Sequence, residues 1–191
     1  MGSGMDRIGV VGAGQMGAGI AHVAALAGKQ VTLVDVEDAY LARGLSSIRK
    51  NLGRQVEKGK VAAEARDAAL ERITTTTDLE ALTTADLAVE AVVEDERIKR
   101  DLFARLDAVT QPSAILASNT SSISITRLAA ATKRPENVIG MHFMNPVPVM
   151  ALVEVIRGIA TSDETSARVV EAAKEMAKTP VECRDFPGFV S

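Results

Sequence analysis

The sequence is short of aromatic residues, cysteine and surplus charge, and each shortage excludes a class of protein. Aromatic residues make up 3% of the 191 residues, there is no Trp, and the formal net charge is −3. General nucleic-acid binding usually needs a basic surface and aromatic stacking platforms, so it is not expected. A single cysteine, Cys183, excludes an internal disulfide and favours a reducing compartment, taken here to be the cytoplasm.

Long apolar runs are also lacking, although apolar residues make up 47% of the chain. No run approaches the roughly 20 residues that span a bilayer, so no membrane segment is expected. The apolar content with 25% charged residues is that of a folded globular protein. No metal site is expected either.

The two ends of the chain are interpreted differently, and the C-terminal end suggests a domain taken from a longer protein. Residues 1–4 precede a second start-like residue, Met5, and are interpreted as the remnant of an expression tag. Residues 186–191 end abruptly on an apolar stretch. The expected division is one domain over residues 5–186, followed by the first residues of a further domain at 187–191.

Short apolar runs alternate with helical patterns along the chain, which is typical of an α/β protein with a parallel sheet. Strands are predicted at 8–11, 31–34, 73–76, 87–93, 114–117, 138–143 and 152–156. Helices are predicted at 14–27, 38–57, 62–70, 95–109, 123–131 and 163–178.

A glycine-rich turn lies between the first predicted strand and the first helix. Residues 12–17 read Gly-Ala-Gly-Gln-Met-Gly and fit the G-x-G-x-x-G pattern of dinucleotide-binding proteins, in which the helix N-terminus faces the pyrophosphate. Asp35 ends the second strand 23 residues after Gly12, near the spacing of about 20 expected for the acid that binds the adenosine ribose. This acid, with Glu37 and Asp38 nearby, favours NAD over NADP. The alternative is a glycine-rich turn that binds no ligand.

Two acid–base candidates occupy symmetrical positions around a predicted chain reversal. If residues 147–149 form the tip, His142 and Glu154 lie opposite each other on antiparallel strands, where Cβ atoms approach to about 5 Å. A carboxylate that orients an imidazole produces a general base. The alternative is a surface ion pair at a hairpin. The other histidine, His22, is interpreted as a helix residue without a chemical role.

Two further groups of polar residues each have two interpretations. Residues 118–122, Ser-Asn-Thr-Ser-Ser, either cap the next helix or offer ligand-binding groups at a strand end. Lys50, Arg54 and Lys58 lie on one face of a helix. That face is either solvated or a site for a polyphosphate such as coenzyme A.

Taken together, these segments resemble the NAD-dependent L-3-hydroxyacyl-CoA dehydrogenases, a family that includes the 3-hydroxybutyryl-CoA dehydrogenases. The resemblance extends from Gly9 to Val190 and is carried by GAGQMG at 12–17, VEAVVE at 89–94, ASNTSS at 117–122, HFMNPVPVM at 142–150, LVEV at 152–155 and PGFV at 187–190. It implies a Rossmann-type doubly wound, mostly parallel sheet with an antiparallel extension near residues 138–156. It also implies the reversible, NAD-dependent oxidation of an L-3-hydroxyacyl-CoA to a 3-oxoacyl-CoA.

The resemblance also implies a role for each candidate residue. His142 would be the general base, oriented by Glu154, and Ser121 would hydrogen-bond the reacting oxygen. The cofactor would be held by Gly12, Gly14, Gln15, Met16, Gly17, Asp35, Glu94, Lys99 and Asn145. The substrate would be held by Ser121, Asn145, Lys58, which matches a lysine that contacts coenzyme A in relatives, and Asn51, where some relatives have a serine.

In the family, a C-terminal all-helical domain follows the Pro-Gly-Phe-Val segment, forms the homodimer and supplies a further catalytic asparagine. This chain stops before that asparagine, so the helical domain is expected to be absent and efficient turnover is in doubt. Two alternatives remain: an NAD-binding module without turnover, and a dehydrogenase of a free 3-hydroxy acid.

Overall fold

A computed structural model describes residues 2–185 of the chain. Its strands are β1 (Arg7–Val11), β2 (Gln30–Val34), β3 (Ile73–Thr76), β4 (Leu87–Glu90), β5 (Ile115–Ser118), β6 (Val138–Phe143), β7 (Leu152–Arg157) and β8 (Thr179–Arg184). Its helices are α1 (Gln15–Leu26), α2 (Asp38–Glu57), α3 (Ala63–Glu71), α4 (Glu96–Val109), α5 (Ile125–Ala129) and α6 (Asp163–Glu175).

The eight strands form one sheet in the order β3-β2-β1-β4-β5-β6-β7-β8. All neighbouring pairs are parallel except β6 and β7, which are antiparallel. The predicted Rossmann-type sheet with an antiparallel extension is therefore confirmed. Because β1, β2, β4, β5 and β6 all run in the same direction, their carboxyl ends share one edge, where open α/β sheets bind ligands.

Apolar side chains cover both faces of the sheet, as near-continuous apolar strands require. On one face Ile20 of α1, Ile48 of α2 and Val169 of α6 belong to one buried cluster. On the other face Phe103 of α4 and Leu128 of α5 belong to a second cluster. The helices thus enclose the sheet from both sides and leave the ligand-binding edge to loops.

The predicted elements differ from the structure mainly at their ends. The helix predicted at 123–131 is confined to Ile125–Ala129, and the one predicted to reach residue 178 ends at Glu175. The strand predicted at 87–93 ends at Glu90. Strand β8 was not predicted, and neither were the short 3-10 helices Leu79–Leu82 and Pro135–Asn137.

The residues set aside as a tag remnant make contacts with the domain. Ser3 is buried, and its amide and hydroxyl both donate to Glu175, at 2.7 and 2.6 Å. Within residues 2–185, no helix combines the length and apolar character needed to cross a bilayer. The same range contains no group of three or more His, Cys, Asp or Glu residues arranged to hold a metal. The predicted domain start at 187–191 lies outside the described residues.

Candidate functional site

The three glycines of the G-x-G-x-x-G pattern have different surroundings in the glycine-rich turn. Gly12 has a φ of +106°, and a Cβ on it would lie 2.5 Å from the Ala91 carbonyl oxygen. A Cβ on Gly17 would lie 1.7 Å from the carbonyl oxygen of Gly12, so the helix and the turn touch there. Gly14, in contrast, is exposed, and a Cβ on it would meet no atom within 4 Å. The chain itself thus needs Gly12 and Gly17, whereas Gly14 leaves an open approach to the backbone at the N-terminus of α1.

Asp35 is fixed beside this turn at the end of β2. One carboxylate oxygen accepts from the Ala13 amide at 2.6 Å, and the other accepts from the Val36 amide at 2.7 Å. An open glycine backbone, a helix N-terminus and an adjacent carboxylate fit a dinucleotide: the first two suit the pyrophosphate and the carboxylate suits the ribose hydroxyls.

A buried ion pair lies under the loop that follows β4. Glu90 and Lys99 are 0% and 1% exposed, and the Lys99 ammonium lies 2.5 Å from a Glu90 carboxylate oxygen. The second Glu90 oxygen accepts from the Ser118 hydroxyl at 2.6 Å. Lys99 also lies 3.2 Å from a carboxylate oxygen of Glu94. The pair therefore links the carboxyl ends of β4 and β5 to α4.

Glu94 extends this network to the serine-rich loop. One of its oxygens accepts from the Thr120 hydroxyl, from the Ser121 amide at 3.2 Å and from the Ser122 hydroxyl at 3.2 Å. Partial burial alone would raise the pKa of Glu94, but these hydroxyls and the Lys99 charge outweigh it and lower the pKa. Glu94 therefore stays ionised and fixes the loop that carries Ser121, whose side chain is exposed.

His142 and Glu154 face each other across the antiparallel pair, as the sequence predicted. They are register partners on β6 and β7, and Nδ1 of His142 lies 2.7 Å from a carboxylate oxygen of Glu154. The side chains are 13% and 1% exposed, which contradicts the alternative of a surface ion pair. Next to the dyad, the Phe143 amide donates to the side chain of Asn119 at 2.9 Å. The loop after β5 is thus bonded to the residue that follows His142.

Asn145 connects the dyad region to the glycine-rich turn. Its side-chain oxygen accepts from the side-chain nitrogen Nε2 of Gln15 at 3.0 Å, and Gln15 is the first residue of α1. Met16 instead packs its side chain against the core. The sheet edge therefore brings together the turn at 12–17, Asp35, the Glu94 network, Asn145 and the dyad.

The residues expected to bind coenzyme A lie apart from this edge. Asn51 is in the C-terminal half of α2, and Lys58 is the residue that caps its end. Between them Gln55 bonds Nε2 of His22 at 3.1 Å, while Nδ1 of His22 has no partner among the described residues. Burial, with a smaller contribution from the charge of Lys178, lowers the pKa of His22, so this histidine is a buried neutral helix residue.

Asn119 and Thr120 belong to the group 118–122, which the sequence offered as either a helix cap or a ligand site, and they bond Phe143 and Glu94. Two residues of the site were missed by sequence reasoning: Glu90 and Lys178, of which the second donates to the loop after Asn145. Only the acid at the end of an otherwise apolar strand, Glu90, carries a local signal, because a carboxylate there is costly unless it is paired. Lys178 acts through partners that are remote in sequence.

Comparison with known proteins gives a consistent result. The family model described as "3-hydroxyacyl-CoA dehydrogenase, NAD binding domain" matches residues 7–186. A protein of Deinococcus radiodurans named probable 3-hydroxybutyryl-CoA dehydrogenase is 56% identical over 185 residues, which is 97% of this chain and 66% of the relative. The 3-hydroxybutyryl-CoA dehydrogenase of Bradyrhizobium diazoefficiens is 54% identical, over 97% of this chain and 64% of its own length.

Solved structures agree. The (S)-3-hydroxybutyryl-CoA dehydrogenase PaaH1 from Ralstonia eutropha has a TM-score of 0.96 and 43% identity, covering 98% of this chain and 66% of that one. A diketoreductase has a TM-score of 0.86 and 30% identity, covering 98% and 67%. The chain thus spans about two thirds of the length of these proteins, and NAD is the cofactor that the matched family model names.

Proposed function

The chain belongs to the 3-hydroxyacyl-CoA dehydrogenase family, whose NAD-binding domain its residues 7–186 match, and from this premise we propose its reaction. It binds NAD and serves the reversible oxidation of an L-3-hydroxyacyl-CoA, such as 3-hydroxybutyryl-CoA, to the 3-oxoacyl-CoA. Residues 5–186 act as the NAD-binding domain. The longer protein that contains it acts in the cytoplasm as a homodimer joined through a helical domain.

The observation that carries this proposal is the His142–Glu154 pair at the ligand-binding edge of the sheet. Glu154 is 1% exposed and lies 2.7 Å from Nδ1 of His142. A carboxylate at Nδ1 fixes the tautomer with the lone pair on Nε2 and stabilises the imidazolium that forms when a proton is taken up. This is the arrangement that a general base for an alcohol needs.

The residues divide the work of oxidation between binding and proton transfer. The open backbone at Gly14 holds the pyrophosphate of NAD, and the carboxylate of Asp35 holds the hydroxyls of the adenosine ribose. Bound NAD⁺ supplies a hydride acceptor. His142 removes the proton of the 3-hydroxyl at Nε2, Glu154 holds the imidazole in place, and Ser121 hydrogen-bonds the reacting oxygen. Glu94 and Asn145 line the nicotinamide side, whereas Lys99, expected there from the sequence, is buried and acts through its ion pair with Glu94.

The test measures the oxidation of NADH by acetoacetyl-CoA with the wild-type chain and the His142→Asn variant. Removal of a positioned general base typically slows a reaction about 10²–10⁴-fold, so we expect the variant to lose turnover and to keep NADH binding. Full activity in the variant would exclude His142 as the base. NADH binding without turnover by the wild-type chain would favour an NAD-binding module, and absence of NADH binding would overturn the proposal.

Coenzyme A recognition is tested separately, because the related diketoreductase is named for dicarbonyl compounds. We propose that Lys58 and Asn51 contact the coenzyme A part of the substrate. Lys58→Glu should raise KM for acetoacetyl-CoA and leave KM for free acetoacetate unchanged, since only the first substrate carries phosphates. Lys60→Glu, an exposed neighbour, is the matched control. Equal KM values for both substrates in wild type would favour a free 3-hydroxy acid as substrate.

A further inference from the structure

The loop between β6 and β7, residues 144–151, carries Asn145 and returns the chain to Glu154. Its own backbone makes one tight turn, in which the amides of Val149 and Met150 both donate to the Pro146 carbonyl, at 2.9 and 3.0 Å. Val149 and Met150 are exposed, at 76% and 41%. The turn alone does not fix where the loop lies relative to the sheet.

Two contacts supply that attachment: the side chain of Val147, which is 2% exposed and packs against Gly19 of α1, and a buried ammonium group. Nζ of Lys178 donates to the carbonyl oxygens of Val147 and Met150, at 2.5 and 2.9 Å. These two bonds hold the loop at both ends of its turn. Lys178 is 9% exposed, and within residues 2–185 it forms no ion pair with a carboxylate. Burial lowers its pKa accordingly.

A buried amine without an opposite charge is unfavourable unless polar groups surround it. Here the polar groups are the Val147 and Met150 carbonyls of the 144–151 loop. Their hydrogen bonds offset the cost of burying Lys178. The lysine side chain therefore has a stabilised position only when the loop lies against the corner between α6 and β8.

The corner that presents Lys178 is itself closely defined. Ala177 has a φ of 56°, in the left-handed region, and the Lys178 amide donates to the Ala173 carbonyl at 2.9 Å. One residue later, the Thr179 amide donates to the Ala151 carbonyl at 2.8 Å. The backbone on either side of Lys178 is thus bonded to α6 and to the end of the same loop.

The other end of the loop reaches the cofactor site. Asn145 accepts from Gln15 at the start of α1, directly after the open backbone of Gly14. A dinucleotide crosses this sheet at the β1–β4 switch point. Asp35, which holds the adenosine half, follows β2 on one side, so Asn145, which follows β6, lies on the nicotinamide side.

We propose that Lys178 is a positioning residue for the nicotinamide half of the cofactor site. It holds the 144–151 loop so that Asn145 stays bonded to Gln15 beside the glycine-rich turn. The proposal rests on the proposed NAD-dependent function. It assigns Lys178 no contact with the cofactor and no chemical step.

The test compares two ligands, NADH and ADP-ribose, that differ only by the nicotinamide ring. Lys178→Met keeps the apolar stem and removes the three N–H donors. We expect its Kd for NADH to rise about five- to tenfold, which corresponds to the loss of about one hydrogen bond, and its Kd for ADP-ribose to stay within about twofold of wild type. Lys174→Met is the matched control, because Lys174 is on α6 but is exposed and pairs with Glu171. It should bind both ligands as wild type does.

A conservative variant separates positioning from a general loss of structure. Lys178→Arg retains charge and donors, and we expect its NADH affinity to lie between those of wild type and Lys178→Met. Hydrogen exchange at the Val149 and Met150 amides should accelerate in Lys178→Met while exchange within α6 is unchanged. Lys178→Met with wild-type NADH affinity, or with NADH and ADP-ribose weakened equally, would overturn the proposal. A wild-type chain that binds neither ligand would overturn the proposed function, and this proposal with it.

Discussion

A carboxylate and an ammonium group that are both removed from water meet beneath the loop after β4. Glu90 and Lys99 are 0% and 1% exposed and 2.5 Å apart. Two buried opposite charges stabilise a fold weakly as a pair, but removal of one of them leaves the other uncompensated. The network through Ser118 and Glu94 is therefore intolerant of single substitutions.

Lys99→Met should lower the free energy of unfolding by about 3–5 kcal/mol, because it leaves the Glu90 carboxylate buried without its partner. Glu90→Gln in the same chain removes that charge and should restore part of the loss. Urea denaturation of the single and double variants measures both effects. A double variant that is less stable than Lys99→Met alone would show that the pair is not the origin of the loss.

In the glycine-rich turn at 12–17, alanine at Gly14 should weaken NADH binding, whereas alanine at Gly17 should lower the stability of the chain. Gly14→Ala meets no protein atom within 4 Å, so the free energy of unfolding should change by less than about 0.5 kcal/mol while NADH binding weakens at least about tenfold. Gly17→Ala would place a Cβ 1.7 Å from the Gly12 oxygen and should destabilise the chain itself. Calorimetric titration with NADH and urea denaturation separate the two outcomes. NADH affinity unchanged by Gly14→Ala would mean that no pyrophosphate approaches there.

Single residues could be predicted where the chemistry is local. The glycine pattern and Asp35 are recognised by their spacing in the sequence. The pairing of His142 with Glu154 follows because both lie the same number of residues from Pro148. Lys178 could not be predicted, because nothing in its sequence neighbourhood distinguishes a buried lysine from a solvated one. Its two acceptors lie about thirty residues away, so only the tertiary fold brings them into range.

At the scale of elements, the backbone just after α6 is strained at Ala177, and a glycine at this position would relieve the strain. Ala177 adopts a φ of 56°, and the Lys178 amide bonds the Ala173 carbonyl, which is the helix ending in which glycine is usual. Ala177→Gly should raise the free energy of unfolding by about 1 kcal/mol, since the left-handed conformation costs an L-residue about that much. Urea denaturation tests this, with Ala172→Gly inside α6 as a control that should destabilise. A less stable Ala177→Gly variant would contradict the strain argument.

Elements could be predicted where their own pattern is strong, as in the apolar strands of the parallel sheet. Strand β8 was missed because it contains Pro180 and charged residues and is largely exposed. An edge strand tolerates such a composition, because only one of its sides needs hydrogen bonds. The start of α5 also depends on a residue that is distant in sequence. Asp185 accepts from the amides of Ile125 and Thr126 and so caps the helix.

At the scale of the whole molecule, one carboxylate joins the N-terminal segment to the far end of α6. Partial burial alone would raise the pKa of Glu175, but hydrogen bonds from Lys29 and Ser3 outweigh it and lower the pKa to about 2 from an ordinary 4.5. Because the folded pKa is the lower one, this contribution to stability is complete above about pH 5 and is lost as the pH falls towards 2.

Glu175→Gln should therefore reduce the free energy of unfolding near pH 7 by about 1–2 kcal/mol, after allowance for the partial exposure of the carboxylate. The difference from wild type should shrink as the pH falls from 5 and vanish only well below pH 2, where Glu175 is protonated in the folded chain as well. Urea denaturation across this range measures it, with the exposed Glu171→Gln as the matched control. A difference that is constant with pH would exclude the charge of Glu175 as its source.

The whole architecture could be predicted because its signals agree at several levels. The glycine turn fixes the first β-α-β unit, the alternation fixes the parallel sheet, and the two prolines near Val147 mark the single reversal of direction. The bounds of α2 were predicted correctly, but the position of Asn51 and Lys58 relative to the sheet could not be, because the path of the helix depends on its packing against α1 and α3.

The bonds around Glu94 have a kinetic consequence. One carboxylate oxygen accepts from three successive residues of the loop after β5, and the other faces Lys99 beneath the loop after β4. These two loops follow β4 and β5 at the ligand-binding edge of the sheet, and the bonds that hold them are formed within the protein itself. We therefore expect association of a dinucleotide to need no prior folding of these loops. Its observed rate should follow a single exponential and rise in proportion to ligand concentration without reaching a plateau.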